Sequence, residues 1–439
     1  MRHLGTDLTA KRMLRNWERV YRRTPSVRLR RTAEGGAAFL PAQAATVELD
    51  DEAFAILCWL GLPLTARQLR RRFLGRFGRH ANLAEIDRTV RQLDDLGFVA
   101  EPVPGVVRAD EAVWLDPESI PIAPESVHLQ LTNACNLRCP SCYVGVQATD
   151  EGSLSLERLL TLVDEIAQLG VFQLALGGGE PLMSPHAVPV VQHARRRGLL
   201  SHVTTNGWLL TKSLVAQLRE AIGEVRLSFN DGFSISQEFL AKKAALLQAE
   251  GVPFGVNVIV THRNVRQVSE LLRWFVSLRP ATITLIRPKP SPHNRTWYDA
   301  NALSAHDSWL LLRQLRRLEP LFTETDLTVD CAFSHLFGGL SEAELAARGV
   351  AGCSMGERFV VVASNGDVYP CSYLRREEFK AGNVIEQSFS RIWQTSPLLA
   401  RLRARQEYSD GHCGPRAKRQ ISVGCRAIQV NAAQCASVP

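Results

Sequence analysis

The 439-residue chain has no apolar run long enough to span a bilayer. A membrane helix needs about 20 mostly apolar residues, whereas the most apolar stretch, Ala53 to Leu64, is far shorter and is interrupted by Pro63, so it reads as a buried helix. The opening MRHLGTDLTAKRMLRNWERV is dense in charge and lacks the apolar core of a signal peptide. The expectation is a cytoplasmic protein without a membrane segment. Lysine is also scarce: the net charge of +8 comes mainly from arginine, a bias that genome composition alone can produce, so basic charge does not by itself indicate nucleic acid. Cysteine is abundant. Ten in a large chain without a secretory signal point to metal or cluster ligation rather than disulfides. Cys58, inside AFAILCWL, stands apart as a small buried side chain.

This length calls for two or three domains. Residues 1–23 read as a helical segment. Residues 24–101 alternate short strands, VRLR, AAFL and ATVEL, with three helices capped by Asp50, Thr65 and Asn82, a winged-helix-like arrangement. The proline-bearing stretch 102–124 is the linker. From 125 to 320, strands VHLQLT, FQLAL, SHVTT, RLSF, FGVNVIV and TITLIR alternate with helices, which implies a parallel sheet covered by helices. Six such units suggest a partial (β/α)6 barrel of the TIM type rather than a closed eight-unit one. Residues 321–351 bridge to a region, 352–439, where cysteines lie among turns and short strands. The fold class is therefore α/β, with a winged-helix-like N-terminal domain and an iron–sulfur-binding C-terminal extension.

CNLRCPSC sets Cys135, Cys139 and Cys142 at Cys-x3-Cys-x2-Cys spacing just after the first barrel strand. Barrel active sites sit at that end of the strands. Four thiolates close a [4Fe–4S] cluster, so three leave one iron open; zinc, the alternative, prefers paired or four-ligand spacing. With the strand FQLALGGGEPL one unit later, this segment resembles the radical S-adenosylmethionine superfamily over roughly residues 125–320. The resemblance implies a [4Fe–4S] cluster whose open iron binds S-adenosylmethionine, and a one-electron donor such as flavodoxin or ferredoxin. It also implies that Gly178, Gly179, Glu180 and Pro181 form the family's GGEP motif, the glycines allowing close approach to a ligand and the Glu180 region meeting the methionyl ammonium. Asn206 in TTNG, and Ser228 and Asn230 in RLSFND, fall where the family's polar strand ends meet the ribose or adenine. Two departures stand out. The aromatic usual before the third cysteine is Ser141, with Tyr143 after it, and the arginine that commonly meets the cofactor carboxylate is absent, leaving Lys242 and Lys243 as candidates.

Cys353, then Gly366-x4-Cys371, Cys413, Cys425 and Cys435 resemble the SPASM extension of peptide-modifying relatives. Arg416 and the Ile421–Ser422 region stand where that pattern has its inner cysteines. This implies one auxiliary [4Fe–4S] cluster rather than two, on Cys353, Cys371 and Cys425, with a fourth ligand from Cys331, Cys413, Cys435 or a substrate thiolate. A zinc-stapled tail is the alternative, and His335 and His412 could join either site.

The N-terminal domain resembles the leader-recognition modules related to the peptide chaperone of pyrroloquinoline quinone biosynthesis, where a precursor leader adds to a sheet edge beside the third helix. A DNA-reading helix would carry basic or amide side chains, whereas the third helix here carries Glu85, Asp87, Asp94 and Asp95. Together these resemblances imply a radical enzyme that modifies a ribosomally made precursor peptide, forming a C–S or C–C crosslink or a related oxidative change. The rivals are a radical enzyme acting on a tetrapyrrole or folded protein side chain, and an iron–sulfur DNA-binding redox regulator. No catalytic acid or base is identifiable.

Overall fold

The computed structural model describes residues 19–32, 35–41, 45–78, 83–100, 115–120, 122–145, 152–230, 235–337, 352–404 and 425–433. Cys413, Cys435, His412 and most of the 102–124 linker lie outside these. The chain divides into two compact units, Met1–Ala123 and Pro124–Pro439.

In the first unit, β1 (Val20–Arg23) pairs antiparallel with β5 (Leu64–Thr65) and β6 (Val99–Ala100), while β2 (Arg28–Thr32), β3 (Gly35–Leu40) and β4 (Ala45–Leu49) form a second antiparallel sheet. Val20–Arg23 thus corrects the expectation of a helix through residue 23. The three helices are α1 (Asp51–Trp59), α2 (Ala66–Phe77) and α3 (Leu83–Asp95). Asp50 accepts from the Ala53 N–H at 2.8 Å, and Thr65 forms a reciprocal capping box with Gln68; both satisfy helix-end N–H groups that no carbonyl reaches. Phe54, Leu57, Leu69, Phe73 and Phe98 form the core, in which Cys58 is fully buried. Burial pushes the Cys58 thiol up to about 12, so it is an inert packing residue.

The second unit is built on one sheet of ten strands. In chain order it runs β7 (Ser126–Thr132), α4 (Leu156–Gln168), β8 (Gln173–Gly178), α5 (Ala187–Arg196), β9 (Leu200–Thr205), α6 (Lys212–Leu218), β10 (Ile222–Phe229), α7 (Gln237–Ala249), β11 (Phe254–Ile259), α8 (Val268–Ser277) and β12 (Thr282–Ile286). It continues through α9 (Arg295–Asn301), α10 (Ala305–Leu318), β13 (Asp326–Val329), β14 (Phe359–Val362), β15 (Asp367–Tyr369), β16 (Gly382–Asn383), α11 (Phe389–Thr395), α12 (Pro397–Arg403) and α13 (Arg426–Ala433). Strands β7 to β13 are parallel and follow one another in order. The six βα units are those read from the sequence, but the sheet does not stop near residue 320. β13 adds a seventh parallel strand, and β14, from the cysteine-bearing tail, pairs parallel with β7 on the opposite side. Both are short, which hides them from pattern reading.

Alternation along the strands separates two faces. On β10, Val225, Leu227 and Phe229 are buried toward the helices, and Glu224, Arg226 and Ser228 face the inside of the barrel. There Glu224 accepts from Arg226 Nε at 2.6 Å and from the Thr282 hydroxyl, reaching across β11 at Gly255. A Cβ at Gly255 would lie 2.3 Å from Thr282 Oγ1 and 2.6 Å from Glu224 Oε1. Gly255→Ala is therefore expected to displace this network and lower stability by about 1–3 kcal/mol, read as a reduced urea midpoint at unchanged slope. An unchanged midpoint would show that the carboxylate does not need the gap.

Candidate functional site

The triplet loop leaves the C-terminal end of β7. The Cys142 N–H donates to the Cys139 carbonyl at 3.0 Å, and the Leu137 N–H to Cys135 Sγ at 3.3 Å, folding the three half-buried cysteines into one turn-rich segment. None is in a disulfide. Burial holds the Cys135 thiol above its usual range, against the pull of the Leu137 N–H.

The glycines of the neighbouring strand end serve this loop directly. The Gly179 N–H donates to the Thr132 carbonyl at 2.7 Å and the Glu180 N–H to the Ala134 carbonyl at 2.8 Å. Gly178 has φ +132°, and a Cβ at Gly179 would stand 2.0 Å from the Ala134 oxygen. The close approach read from the sequence is thus an approach to the cysteine loop's own backbone. Glu180 is buried and accepts from the Thr205 hydroxyl at 2.8 Å, the Asn206 N–H at 2.8 Å and the Leu182 N–H at 3.1 Å. Burial raises its pKa, and the three donors oppose that rise. Its carboxylate therefore ties β8 to β9. Asn206 closes the circuit, donating from Nδ2 to Asn136 Oδ1 of the triplet loop at 2.8 Å. Ser228 and Asn230 lie at the end of β10. Lys242 sits on the surface, paired with Glu238 at 2.7 Å, while Lys243 donates to the Leu210 carbonyl at 2.8 Å beside the Asn206 turn.

A second group of thiols converges from four separate segments. Cys331 follows β13, Cys353 precedes β14, Cys371 follows β15 and Cys425 precedes α13. The Cys331 thiol hydrogen-bonds with Cys353 and Cys425, which raises its own pKa, lowers that of Cys353 to about 6 and lowers that of Cys425. Cys371 lies within electrostatic reach of Cys353 and Cys425, and burial pushes it up to about 12. Of the fourth ligands left open by the sequence, Cys331 is brought to this group; Cys413 and Cys435 lie outside the described residues. His335 instead meets the Ala332 carbonyl at 2.9 Å and Ser308 Oγ at 3.4 Å. Four cysteines are the ligand count of a [4Fe–4S] cluster, each binding a different iron.

The two groups are joined by residues that are not themselves candidate ligands. Tyr143 stacks on Tyr373, the residue two after Cys371, with ring centroids 4.1 Å apart. Arg375 donates to the Val144 carbonyl and, at 2.9 Å, to Gln130 Oε1. The loop after β12 inserts between them: Asn294 donates to the Ser141 carbonyl at 3.1 Å, and Lys289, over the Tyr373 ring at 5.0 Å, pairs with Asp330. Burial would pull the Lys289 ammonium down, but Asp330, with Tyr373, Cys331 and Cys425, outweighs it and holds the group well above its ordinary value. The displaced aromatic of the cysteine motif thus has a structural partner, and a tyrosine trailing each cysteine was the available signal.

Comparison with known proteins agrees with this geometry. Residues 129–276 match the radical SAM superfamily and residues 353–415 match SPASM, an iron–sulfur cluster-binding domain. The AdoMet-dependent heme synthase of Methanosarcina barkeri is 28% identical, covering 70% of this chain and 92% of its own. The mycofactocin maturase MftC of Mycobacterium ulcerans is 29% identical, covering 66% of this chain and 80% of its own. The crystal structure of Streptococcus suis SuiB bound to precursor peptide SuiA superposes with a TM-score of 0.64 at 16% identity, covering 88% of this chain and 90% of that one. The chain carries a radical SAM domain, and behind it a SPASM domain. It is accordingly an enzyme that takes S-adenosylmethionine and a [4Fe–4S] cluster, with auxiliary iron–sulfur binding in the tail. Among the described residues no helix is long and apolar enough to cross a membrane.

The convergence of Cys331 with Cys353 and Cys425 generates a direct expectation. Replacing Cys135, Cys139 and Cys142 together by Ala should leave a protein that still binds about one [4Fe–4S] cluster, measured as iron and sulfide after anaerobic reconstitution. Adding Cys331→Ala to that background should remove most of it. Full retention would show that another group supplies the ligand.

Proposed function

We propose that this enzyme modifies a ribosomally synthesised precursor peptide, with the first unit holding the leader and the barrel performing the chemistry. The carrying observation is the reach of the fold. The second unit begins at Pro124, so a likeness to SuiB spanning 88% of the chain extends into the first unit, and that relative was crystallised with a precursor peptide. The heme synthase, by contrast, uses 92% of its own length on 70% of this chain, which leaves it little room for a counterpart of that unit.

Bound at a cluster on Cys135, Cys139 and Cys142, S-adenosylmethionine would supply, with one electron, the radical chemistry that takes hydrogen from a substrate carbon. Cys135, Cys139 and Cys142 hold the cluster. Gly178, Gly179, Glu180 and Pro181 fix the strand end over that loop, and Asn206, Ser228 and Asn230 present polar groups to the cofactor. Cys331, Cys353, Cys371 and Cys425 hold one auxiliary [4Fe–4S] cluster. A cytoplasmic flavodoxin or ferredoxin supplies electrons, and the modification is a C–S or C–C crosslink or a related oxidation.

In the first unit β4 is bonded to β3 on one side, and a leader strand can add to its other edge. Apolar pockets would then dominate affinity, so salt weakens binding only moderately, whereas duplex DNA binding falls steeply as counterions are released.

Two measurements test the reading. Anaerobically reconstituted protein with dithionite should convert S-adenosylmethionine to 5′-deoxyadenosine and shift the mass of the peptide encoded beside its gene; Cys135→Ala, Cys139→Ala or Cys142→Ala should abolish both. Cleavage at the normal rate in a triplet variant would defeat the assignment. Titrating full-length protein with labelled leader and with duplex DNA over a salt series should give leader binding in the micromolar range or tighter, on the order of −8 kcal/mol. A fragment for the same purpose must begin before Val20, because β1 bridges β5 and β6. Tight DNA binding without leader binding would overturn the peptide assignment and leave the radical chemistry standing.

A further inference from the structure

Neither Tyr143 nor Tyr373 has a ligand role, yet their rings bridge the two cysteine loops. Tyr143 directly follows Cys142 and Tyr373 lies two residues beyond Cys371. Their rings stack at 4.1 Å with planes 23° apart. The Tyr143 hydroxyl also hydrogen-bonds to the Ser372 side chain, whose oxygen lies 3.0 Å from His128 Nδ1. The pair is clamped from several sides: Asn431 Nδ2 donates to the Tyr373 carbonyl at 3.3 Å and to the Pro290 carbonyl at 2.9 Å, and Arg375 holds the backbone at Val144.

We propose that the Tyr143–Tyr373 stack is the electron path between the cluster held by Cys135, Cys139 and Cys142 and the cluster held by Cys331, Cys353, Cys371 and Cys425. This rests on the reading that both thiol groups hold [4Fe–4S] clusters. Tunnelling decays more slowly through bonded and tightly packed matter than across a gap. A stack reached from each cysteine loop by one or two peptide bonds provides a packed route. The rings act as a medium and not as a stop, because oxidising a tyrosine ring requires a potential far above that of an iron–sulfur cluster. One electron leaves the reduced cluster and enters the oxidised one. No bond forms or breaks, and no proton moves.

The test uses full-length protein with both clusters reconstituted and no peptide. Brief photoreduction with deazaflavin is followed by freeze-quenching, and electron paramagnetic resonance tracks how the electron redistributes between the two cluster signals. Tyr143→Leu and Tyr373→Leu should slow redistribution several-fold with both signals and the iron content intact, and the two Phe variants should behave as wild type. Wild-type rates in the Leu variants would overturn the proposal. So would equal slowing in the Phe variants, which would move the path to the hydroxyl and Ser372. Because the two tyrosines lie on different loops, loss of one cluster in one variant leaves the other to decide; loss of a cluster in both would make the stack a structural staple and refute the path. A failure of the wild-type protein to show two cluster signals would instead strike at the auxiliary-cluster reading.

Discussion

Everything at this site hangs on the position of β7 in the sheet. On one side it pairs with β8, which brings the GGEP turn over the triplet loop; on the other it pairs with β14, which brings the cysteine-rich tail alongside. The entry to both pairings is fixed at one point, where the Glu125 N–H donates to the Arg358 carbonyl at 2.8 Å and Glu125 forms a 2.6 Å ion pair with Arg358. A parallel partner on each side leaves the strand no freedom of register, since a slip by one residue would turn every inward side chain outward. The relative placement of the two thiol groups is therefore set by the backbone ladder first and trimmed by side chains afterwards.

The polar groups inside the barrel form two layers along the strands. Near the strand ends, Glu180, Thr205, Asn206 and Asn136 connect three successive loops through hydrogen bonds to a carboxylate that has little access to water. Further down, Glu224 gathers Arg226 and Thr282, with His202 Nδ1 at 3.7 Å. Burial, then the Arg226 charge, lowers the His202 pKa to about 4 against the pull of Glu224, so the imidazole is neutral at physiological pH. A buried carboxylate with well-placed donors is rigid, because each lost donor would leave it unsatisfied.

Local signals were legible in the sequence and non-local ones were not. The triplet, GGEP and the six βα units each occupy a short window, and the structure has them where the residues indicated. Cys331 could not be singled out, because its partners come from segments that only the fold unites. The partners of the GGEP carboxylate, Thr205 and Asn206, lie one strand later, beyond any motif. Val20–Arg23 carries no strand signal of its own, since its two partners are two-residue strands more than forty positions downstream. β13 and β14 are hidden for the same reason: four residues, alternating in β13 and apolar throughout in β14, do not stand out until a neighbouring strand supplies the context.

Lysine is rare in this chain, and one of the few is deeply buried. Lys289 keeps its charge against Asp330 beside Cys331 and Cys425. An iron–sulfur cluster becomes more negative on reduction, and nearby charge is one of the means by which a protein sets its potential. With the proposed auxiliary cluster on Cys331 and Cys425, the compact ammonium would favour the reduced form, the Asp330 carboxylate partly offsetting it. The ion pair would then act as a dipole that biases where an electron comes to rest, and arginine, with its charge spread over a plane, would be a poor substitute.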